Sequence, residues 1–407
     1  MPDASVLNVL LHGKQIGTLT LLPDDRTLFA FTNEYIDDDE RDVLSLSFKD
    51  VYGTLDAETK PTRVRVPTFF SNLLPEGHLR NYLAERAGVH QDREFFLLWI
   101  LGRDLPGAIE IVPTDRDSLP KDAKGGKEKG DSTSLADDAL RFSLAGVQLK
   151  FSALKSARGG LTIPANGVGG SWIVKLPSTA HAGVPENEFA MMELARRVGI
   201  EVPETALVPV EKIAGLPDGI GNTGAKAFII KRFDRLDNGT RVHIEDFAQI
   251  FGFYPDKKYS GTNYDAIASV LAAETGDAGV TEFIRRFTFN ALIGNGDMHL
   301  KNWSVIYPDK RKAALSPAYD FVSTLTYVPN EKLALNFAGS KAFTDLSYDQ
   351  FERFAAKAKL SASLVKETAR ATVDRFKTVW GKADDLSIEK PIKDAIDAHL
   401  KTLPIAK

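Results

Sequence analysis

The sequence of 407 residues contains no cysteine, which excludes disulfide bonds, thiolate metal sites and cysteine nucleophiles. Neither sign of charge is in large excess, since 51 basic and 55 acidic side chains give a formal net charge of -4. Bulk charge therefore provides no attraction to nucleic acid or to an anionic membrane. The longest strongly apolar run, at 95–101, is far shorter than the roughly 20 residues needed to span a bilayer. Because no basic segment precedes the first apolar residues, we expect no secretory signal and interpret the protein as cytoplasmic.

The chain also lacks the motifs of several common enzyme classes. It contains no G-x-S-x-G nucleophile elbow and no Walker A sequence, and its seven histidines show no paired metal-ligand spacing. A G-x-G-x-x-G pattern at 219–224 is followed by a strand-like segment at 227–233, whereas a dinucleotide site requires a helix there. We interpret this pattern as a hairpin loop.

The length exceeds that of one ordinary hydrophobic core, and composition divides the chain into four regions. Residues 1–112 are predicted to form an amino-terminal α+β module, with a hairpin from strands at 6–11 and 17–22, a strand at 43–48 and a buried helix at 95–101. Residues 113–139 are polar and charged, which is typical of a flexible linker. Residues 140–235 form a β-rich small lobe, and residues 236–407 form a helical large lobe. The predicted fold class is therefore α+β.

Hydrophobic periodicity predicts the elements of the two lobes. The small lobe has predicted strands at 142–152, 172–176, 207–210 and 227–233, with one helix at 187–198. The large lobe has predicted helices at 244–251, 263–275, 280–293, 348–360, 363–379 and 388–400. A small β-rich lobe followed by a helical lobe is the two-lobed outline of a protein kinase, although other proteins share it.

The most informative segment, at 291–307, follows an amphipathic helix and ends in a short β-run, and a second short strand leads to Asp320. Phosphoryl transfer requires a carboxylate that orients the attacking hydroxyl, oxygen ligands for magnesium, and a cation near the transferred group. Asp297 suits the first role. Asn302, five residues later, and Asp320 suit the second, and this Asp-to-Asn spacing matches the catalytic loop of protein kinases.

Two further side chains of the same loop are candidates for supporting roles. We expect Lys301 to offset the charge of the phosphates and His299 to brace the loop by hydrogen bonds. Asn, Asp and Gly between two elements usually form an ordinary turn. Here five polar residues recur within eight positions and a second aspartate follows a hairpin, so we favour a catalytic site.

The small lobe contains a candidate for the remaining cation. Lys175 lies inside a short strand, which is the arrangement of the kinase lysine that holds ATP phosphates. Glu186 or Glu188, on the following helix, would pair with it, and the sequence does not decide between them. The candidate phosphate loop is residues 143–150, in which Gly146 is the single glycine.

Together these motifs resemble the HipA family of bacterial serine/threonine kinases, the toxin halves of HipBA-type toxin–antitoxin modules. The resemblance extends over most of the chain. It is carried by FFSNLLPEG (69–77), SLAGVQLK (143–150), WIVKLP (172–177), PENE (185–188), KRFDR (231–235), NGDMHLKN (295–302) and YD (319–320). Each motif alone is modest, but their order and spacing together are specific.

The resemblance implies roles for individual positions. Asp297 would be the catalytic aspartate, Asn302 and Asp320 would hold Mg2+, and Lys175 would contact the ATP phosphates. A family serine that becomes autophosphorylated corresponds to Ser143, where about two added negative charges would repel ATP and inactivate the enzyme. The remaining ATP-binding positions are the phosphate-loop residues Ala145, Gly146, Val147, Gln148 and Lys150, and the hinge residues Lys231, Arg232 and Phe233, on which adenine would lie.

The resemblance also implies partners. Family substrates include aminoacyl-tRNA synthetases, whose phosphorylation stalls translation, and the partner is a HipB-like helix-turn-helix antitoxin. DNA would be bound only indirectly, through that antitoxin, and no membrane is expected. The charged linker before Phe142 departs from typical members. Two alternatives remain: a small-molecule or lipid kinase of the same fold, and an inactive ATP-binding pseudokinase.

Overall fold

The structure is a computed structural model that describes residues 5–114, 123, 150–155, 161–163, 169–178, 181–216 and 224–407. Most of the predicted linker at 113–139 and most of the glycine pattern at 219–224 lie outside these residues. Five predicted site residues also lie outside them, namely Ser143, Ala145, Gly146, Val147 and Gln148.

The amino-terminal sheet is antiparallel throughout and has the strand order β4-β3-β2-β1-β5. Its strands are β1 Val6–Leu11, β2 Lys14–Leu22, β3 Arg26–Phe31, β4 Thr62–Arg63 and β5 Ile109–Pro113. In β1 the alternate side chains Leu7, Val9 and Leu11 are buried, which is the period of two expected for a strand with one face on a core. The predicted hairpin is confirmed.

The helices that cover this sheet are short. They are α1 Asn33–Ile36, α2 Thr68–Ser71, α3 Gly77–Ala87 and α4 Glu94–Leu101. Helix α4 is buried over most of its length, as predicted. The predicted strand at 43–48 is wrong, because Leu46–Phe48 is a 3-10 turn. Ser45 explains the difference: its hydroxyl accepts a hydrogen bond from the Ser47 N–H (3.0 Å), and such a bond favours a turn over strand pairing.

The central sheet has the strand order β10-β7-β6-β8-β11-β9. Its strands are β6 Lys150–Lys155, β7 Leu161–Thr162, β8 Trp172–Lys175, β9 Thr205–Pro209, β10 Ile213–Ala214 and β11 Lys226–Lys231. Helix α5, Val184–Val198, packs against β9 and β11. The predicted strands at 172–176, 207–210 and 227–233 and the predicted helix at 187–198 are confirmed to within a few residues.

A third sheet, the hairpin sheet, is antiparallel and consists of β12 His243–Asp246, β13 Ser304–Tyr307 and β14 Ala314–Leu315. The predicted helix at 244–251 is wrong in its first half, because β12 pairs with β13. A short helix, α6 Phe247–Ile250, begins only after Asp246. The Asp246 carboxylate accepts the Gln249 N–H (2.9 Å) and the Gln249 side chain accepts the Asp246 N–H (2.9 Å), a capping box that starts the helix there.

The remaining helices are α7 Tyr264–Ile293, α8 Tyr348–Ala358, α9 Ala362–Trp380 and α10 Lys390–Thr402. The two helices predicted at 263–275 and 280–293 form one element that is interrupted at Gly276 (φ 64°, ψ -160°). Helix α7 packs against α8, α9 and α10, so its carboxyl end is fixed within the core. None of the helices in the described part of the chain is both long and apolar enough to cross a membrane.

Candidate active site

The predicted catalytic loop begins where α7 ends. Gly294 adopts a positive φ of 67° that ends the helix, a conformation that glycine accepts at little cost. The Thr324 hydroxyl then accepts the Gly296 N–H (2.9 Å) and donates to the Gly294 carbonyl (3.1 Å). The loop is therefore fastened to the segment that follows Asp320.

Asn295 joins the two acidic parts of the site. Its side-chain oxygen accepts the Asp297 N–H (2.9 Å), and its side-chain nitrogen donates to Asn290 (2.8 Å) and, at 3.5 Å, to the main-chain carbonyl of Asp320. Asn295 is fully buried, so these bonds do not compete with water. Asp297 and Asp320, which are distant in sequence, therefore lie on segments held by one amide. The sequence interpretation assigned Asn295 no role, because its contact with Asp320 cannot be read from local spacing.

Asn302 lies at the other end of the loop, in the 3-10 turn Leu300–Asn302. Its side-chain nitrogen donates to the main-chain carbonyl of Asp297 (2.8 Å). Within the described residues its side-chain oxygen accepts no hydrogen bond and remains available to a ligand. The predicted loop therefore brings Asp297, Asn302 and Asp320 together.

Asp320 is surrounded by positive charge. Its carboxylate pairs with the ammonium of Lys175 and, at 3.3 Å, with that of Lys150. Burial alone would raise the pKa of Asp320, but these two ammonium groups hold it well below its usual value, so the group is a carboxylate. The backbone of Asp320 has a positive φ of 57°, an uncommon conformation for a residue other than glycine.

Lys175 on β8 also resolves the choice between the two glutamates. Its buried ammonium pairs with Glu188 on α5 as well as with Asp320. Burial opposes the charge of Lys175, but the two carboxylates raise its pKa above the usual value, so it remains a cation. The two ion pairs of Lys175 thus link Glu188 on helix α5 of the small lobe to Asp320 in the site.

The Asp297 carboxylate is half-buried and receives one hydrogen bond from the part of the chain that the structure describes. The Tyr259 hydroxyl donates to its Oδ1. Burial raises the pKa of Asp297, and the hydrogen bond from Tyr259 acts in the opposite direction. A raised pKa makes a carboxylate a stronger proton acceptor, as a general base requires.

Lys301 and His299 make contacts that differ from the predicted ones. The Lys301 ammonium donates to the main-chain carbonyl of Asn72 (2.8 Å) and lies 3.3 Å from both Glu76 and Asp246, so its charge is neutralised on the side facing the amino-terminal module. His299 packs edge-on against the Tyr259 ring, with ring centres 4.8 Å apart, and its Nδ1 has no hydrogen-bond partner within the described residues. Burial lowers the pKa of His299 to about 3, so it is neutral.

The predicted hinge lies at the end of β11. The Lys231 ammonium pairs with Asp237 (2.8 Å), and the Phe233 ring lies 5.9 Å from that of Tyr319. The Arg232 guanidinium is buried against Asp234 (2.8 Å). Arg232 is therefore engaged within the protein, and its main-chain N–H also donates to the Ser171 carbonyl (2.8 Å). The role of 231–233 as an adenine hinge stays a prediction.

The oxygen ligands fit magnesium better than a transition metal. Within the described ranges no group of three or more His, Cys, Asp or Glu side chains is arranged to hold a metal ion. The Asn302 amide oxygen and the Asp320 carboxylate are hard donors that would supply only part of a coordination shell. Mg2+ is commonly held in this way, by one or two protein oxygens together with phosphates and water.

Comparison with known proteins identifies the family. Residues 7–112 match the family model of the HipA N-terminal domain, and residues 142–380 match that of the HipA-like C-terminal domain. The chain is 54% identical over 409 residues to a Sinorhizobium fredii protein named "Putative kinase Y4dM", with 100% of this chain and 98% of that protein covered. It is 26% identical over 359 residues to the "Serine/threonine-protein kinase toxin HipA" of Shewanella oneidensis, covering 80% and 77% of the two chains.

A solved structure shows the same fold. It is described as the Shewanella oneidensis MR-1 toxin–antitoxin system HipA, HipB and operator DNA complex. It superimposes with a TM-score of 0.73 at 22% identity, covering 98% of this chain and 96% of the other. The predicted α+β, kinase-like fold is confirmed, and the chain belongs to the HipA family of kinases.

Proposed function

We propose that the protein is a Mg-ATP-dependent serine/threonine protein kinase that acts as the toxin of a type II toxin–antitoxin system. The observation that carries this proposal is the convergence of Asp297, Asn302 and Asp320, joined through Asn295 and backed by the buried cation of Lys175. An ordinary turn would account for the local bonds of Asn295 and Asn302 to Asp297, but it does not require the contacts of Asn295 and Lys175 with Asp320.

Each group has a defined task in this proposal. Asp297 accepts the hydrogen bond of the acceptor hydroxyl, orients its oxygen toward the γ-phosphoryl group and takes up its proton. Asn302 and Asp320 would hold Mg2+, which when bound offsets the negative charge of the phosphates. Lys150 and Lys175 both pair with Asp320 in the structure. We infer that they turn toward the phosphates of bound ATP, so that the cations are already in place when charge develops.

The first experiment compares wild type with Asp297→Asn, using labelled ATP and a serine- or threonine-containing protein acceptor. We expect phosphate transfer to fall by about 100- to 10,000-fold, since general base catalysis contributes that much. The affinity for ATP should change little. Asp384→Asn is the matched control, because this carboxylate lies on the surface beside Lys393. Transfer by Asp297→Asn at near wild-type rate would show that another group is the base.

The acceptor and the autophosphorylation are tested separately. Family resemblance supports Ser143 as the modified serine and an aminoacyl-tRNA synthetase or another translation factor as the substrate. Mass spectrometry should find phosphate on Ser143 in wild type and none in Asp297→Asn. Transfer to small molecules or lipids but to no protein would favour the alternative of a small-molecule or lipid kinase, and absence of all turnover would favour a pseudokinase.

An antitoxin partner is proposed from the family. The Shewanella HipA was solved with HipB and operator DNA, and a HipB-like helix-turn-helix protein would be the corresponding partner here. The net charge of -4 gives this chain no bulk attraction to DNA, so DNA would be bound through the partner. Co-expression with a neighbouring helix-turn-helix gene should relieve growth arrest, and the Asp297→Asn variant should cause none.

A further inference from the structure

Tyr259 is the side chain that holds the proposed catalytic base, although it lies outside the catalytic loop. It is in the segment between α6 and α7, and its hydroxyl donates to Oδ1 of Asp297. Tyr259 is 44% exposed, so its ring also forms part of the surface beside the site. Among the described residues, Oδ2 of Asp297 accepts no hydrogen bond.

The surroundings of Tyr259 hold it in place. Its main-chain carbonyl accepts a hydrogen bond from the Lys341 ammonium (3.3 Å), and the preceding carbonyl of Lys258 accepts the Leu300 N–H (3.2 Å). The edge-on contact with His299 fixes the ring (interplanar angle 82°). The main chain and the ring of Tyr259 are therefore both in contact with neighbouring residues, which keeps the hydroxyl beside Asp297.

We propose that Tyr259 is a positioning residue, whose hydroxyl fixes the Asp297 carboxylate through Oδ1 and leaves Oδ2 to accept the substrate hydroxyl. This inference rests on the proposed role of Asp297 as the base. A free carboxylate rotates about its terminal side-chain bond, and this motion would misalign the acceptor oxygen. A hydrogen bond from a fixed phenol restricts that rotation.

The test is Tyr259→Phe, which removes one oxygen and keeps the ring contact with His299. We expect kcat to fall by about 10- to 100-fold, the range associated with losing a hydrogen bond to a charged group. The KM for ATP and the melting temperature should stay near wild type. Tyr254→Phe is the matched control on the same segment, because the Tyr254 ring stacks on Arg65 (4.9 Å) and its hydroxyl is not part of the site.

A double-mutant cycle separates positioning of Asp297 from a general structural effect. If Tyr259 acts through Asp297, Tyr259→Phe should cause no further loss in an Asp297→Asn background measured under single-turnover conditions. An equal loss in both backgrounds would overturn the inference, as would a Tyr259→Phe variant with unchanged or increased kcat. A wild-type protein without phosphotransferase activity would instead overturn the proposed function, and this inference with it.

Discussion

Glu245 on β12 is a fully buried carboxyl group between the segment after α1 and the hairpin sheet. It accepts hydrogen bonds from the hydroxyls of Ser45 (2.5 Å) and Tyr307 and from the Leu46 N–H (2.9 Å). Burial raises the pKa of Glu245 to about 7, and these hydrogen bonds act against that rise. Glu245 thus connects the amino-terminal module to the large lobe without an ionic partner within the described residues.

Because Glu245 is buried, it should make the stability of the protein depend on pH, and the substitution Glu245→Gln should remove that contribution. The unfolded group has a pKa near 4.5, so between pH 4.5 and about 7 the folded protein binds more protons than the unfolded chain. The contribution of Glu245 to the free energy of unfolding therefore falls as pH rises through this window, by at most about 3 kcal/mol. Glutamine is neutral and keeps one acceptor oxygen, so the variant should lack this slope.

The measurement is denaturant unfolding of wild type and Glu245→Gln across pH 4.5 to 7.5. The wild-type free energy minus that of the variant should decrease as pH rises. Burial lowers the pKa of His243 to about 4, and its contribution is lost as pH falls, which is the opposite sign. His243 is present in both proteins, so its effect cancels when one free energy of unfolding is subtracted from the other. If the free energies of unfolding of the two proteins change with pH in parallel, Glu245 is ionised in the folded protein over this pH range.

At the scale of elements, the catalytic loop depends on the absence of a side chain at Gly296. A Cβ at this position would lie 2.2 Å from the Glu331 side chain and 2.6 Å from the main-chain carbonyl of Lys332. The Glu331 side chain can move, but the carbonyl belongs to a neighbouring backbone segment. Any side chain at this position would therefore push the loop that carries Asp297 away from residues 331–333.

Gly296→Ala should reduce kcat by about 10- to 100-fold, because small displacements of a positioned base are costly. We expect a loss of stability of only about 1 to 3 kcal/mol, typical of an overpacked site. Gly381→Ala is the control, since its nearest neighbour, the Lys377 carbonyl, lies 3.4 Å away. Steady-state kinetics with unfolding curves test both variants. A fully active Gly296→Ala protein would mean that the loop has room to adjust.

The accuracy of the predicted helices and strands depends on their length. Long elements with a repeated apolar period, such as α8 and α9, were predicted to within about two residues. The errors at 43–48 and 244–251 fall on short segments, where the partner decides between strand, turn and helix. For β12 that partner is β13, about 60 residues away in sequence. The spacing of Asp297 and Asn302 can be read from the sequence, whereas the contact of Asn295 with Asp320 and that of Tyr259 with Asp297 join distant segments that no local pattern reveals.

At the scale of the whole molecule, Asp104 connects three parts of the protein. This side chain precedes β5 and is only 4% exposed. Its carboxylate pairs with Arg235 (3.0 Å) and Arg232 (3.4 Å) and accepts the Gly169 N–H (3.2 Å). Arg232 and Arg235 also share Asp234, so two arginines and two aspartates form one buried network. The amino-terminal module thereby contacts both the central sheet and the predicted hinge.

Asp104→Asn should therefore affect both stability and nucleotide binding. The variant leaves two buried guanidinium groups with one carboxylate, and we expect the free energy of unfolding to fall by about 2 to 4 kcal/mol. Because Arg232 lies in the predicted hinge, loosening it should raise the KM for ATP while kcat at saturating ATP stays near wild type. Calorimetry and steady-state kinetics measure the two effects.

Asp237→Asn provides the comparison, because Asp237 pairs at the surface with Lys231, the neighbouring residue of the predicted hinge, and its side chain is 84% exposed. A surface ion pair contributes at most about 1 kcal/mol, so this variant should remain close to wild type in both measurements. If Asp104→Asn lowers stability without changing the KM for ATP, the network supports the fold alone. If stability and the KM for ATP both change in Asp104→Asn but not in Asp237→Asn, the amino-terminal module helps to shape the nucleotide site through the buried Asp104 carboxylate.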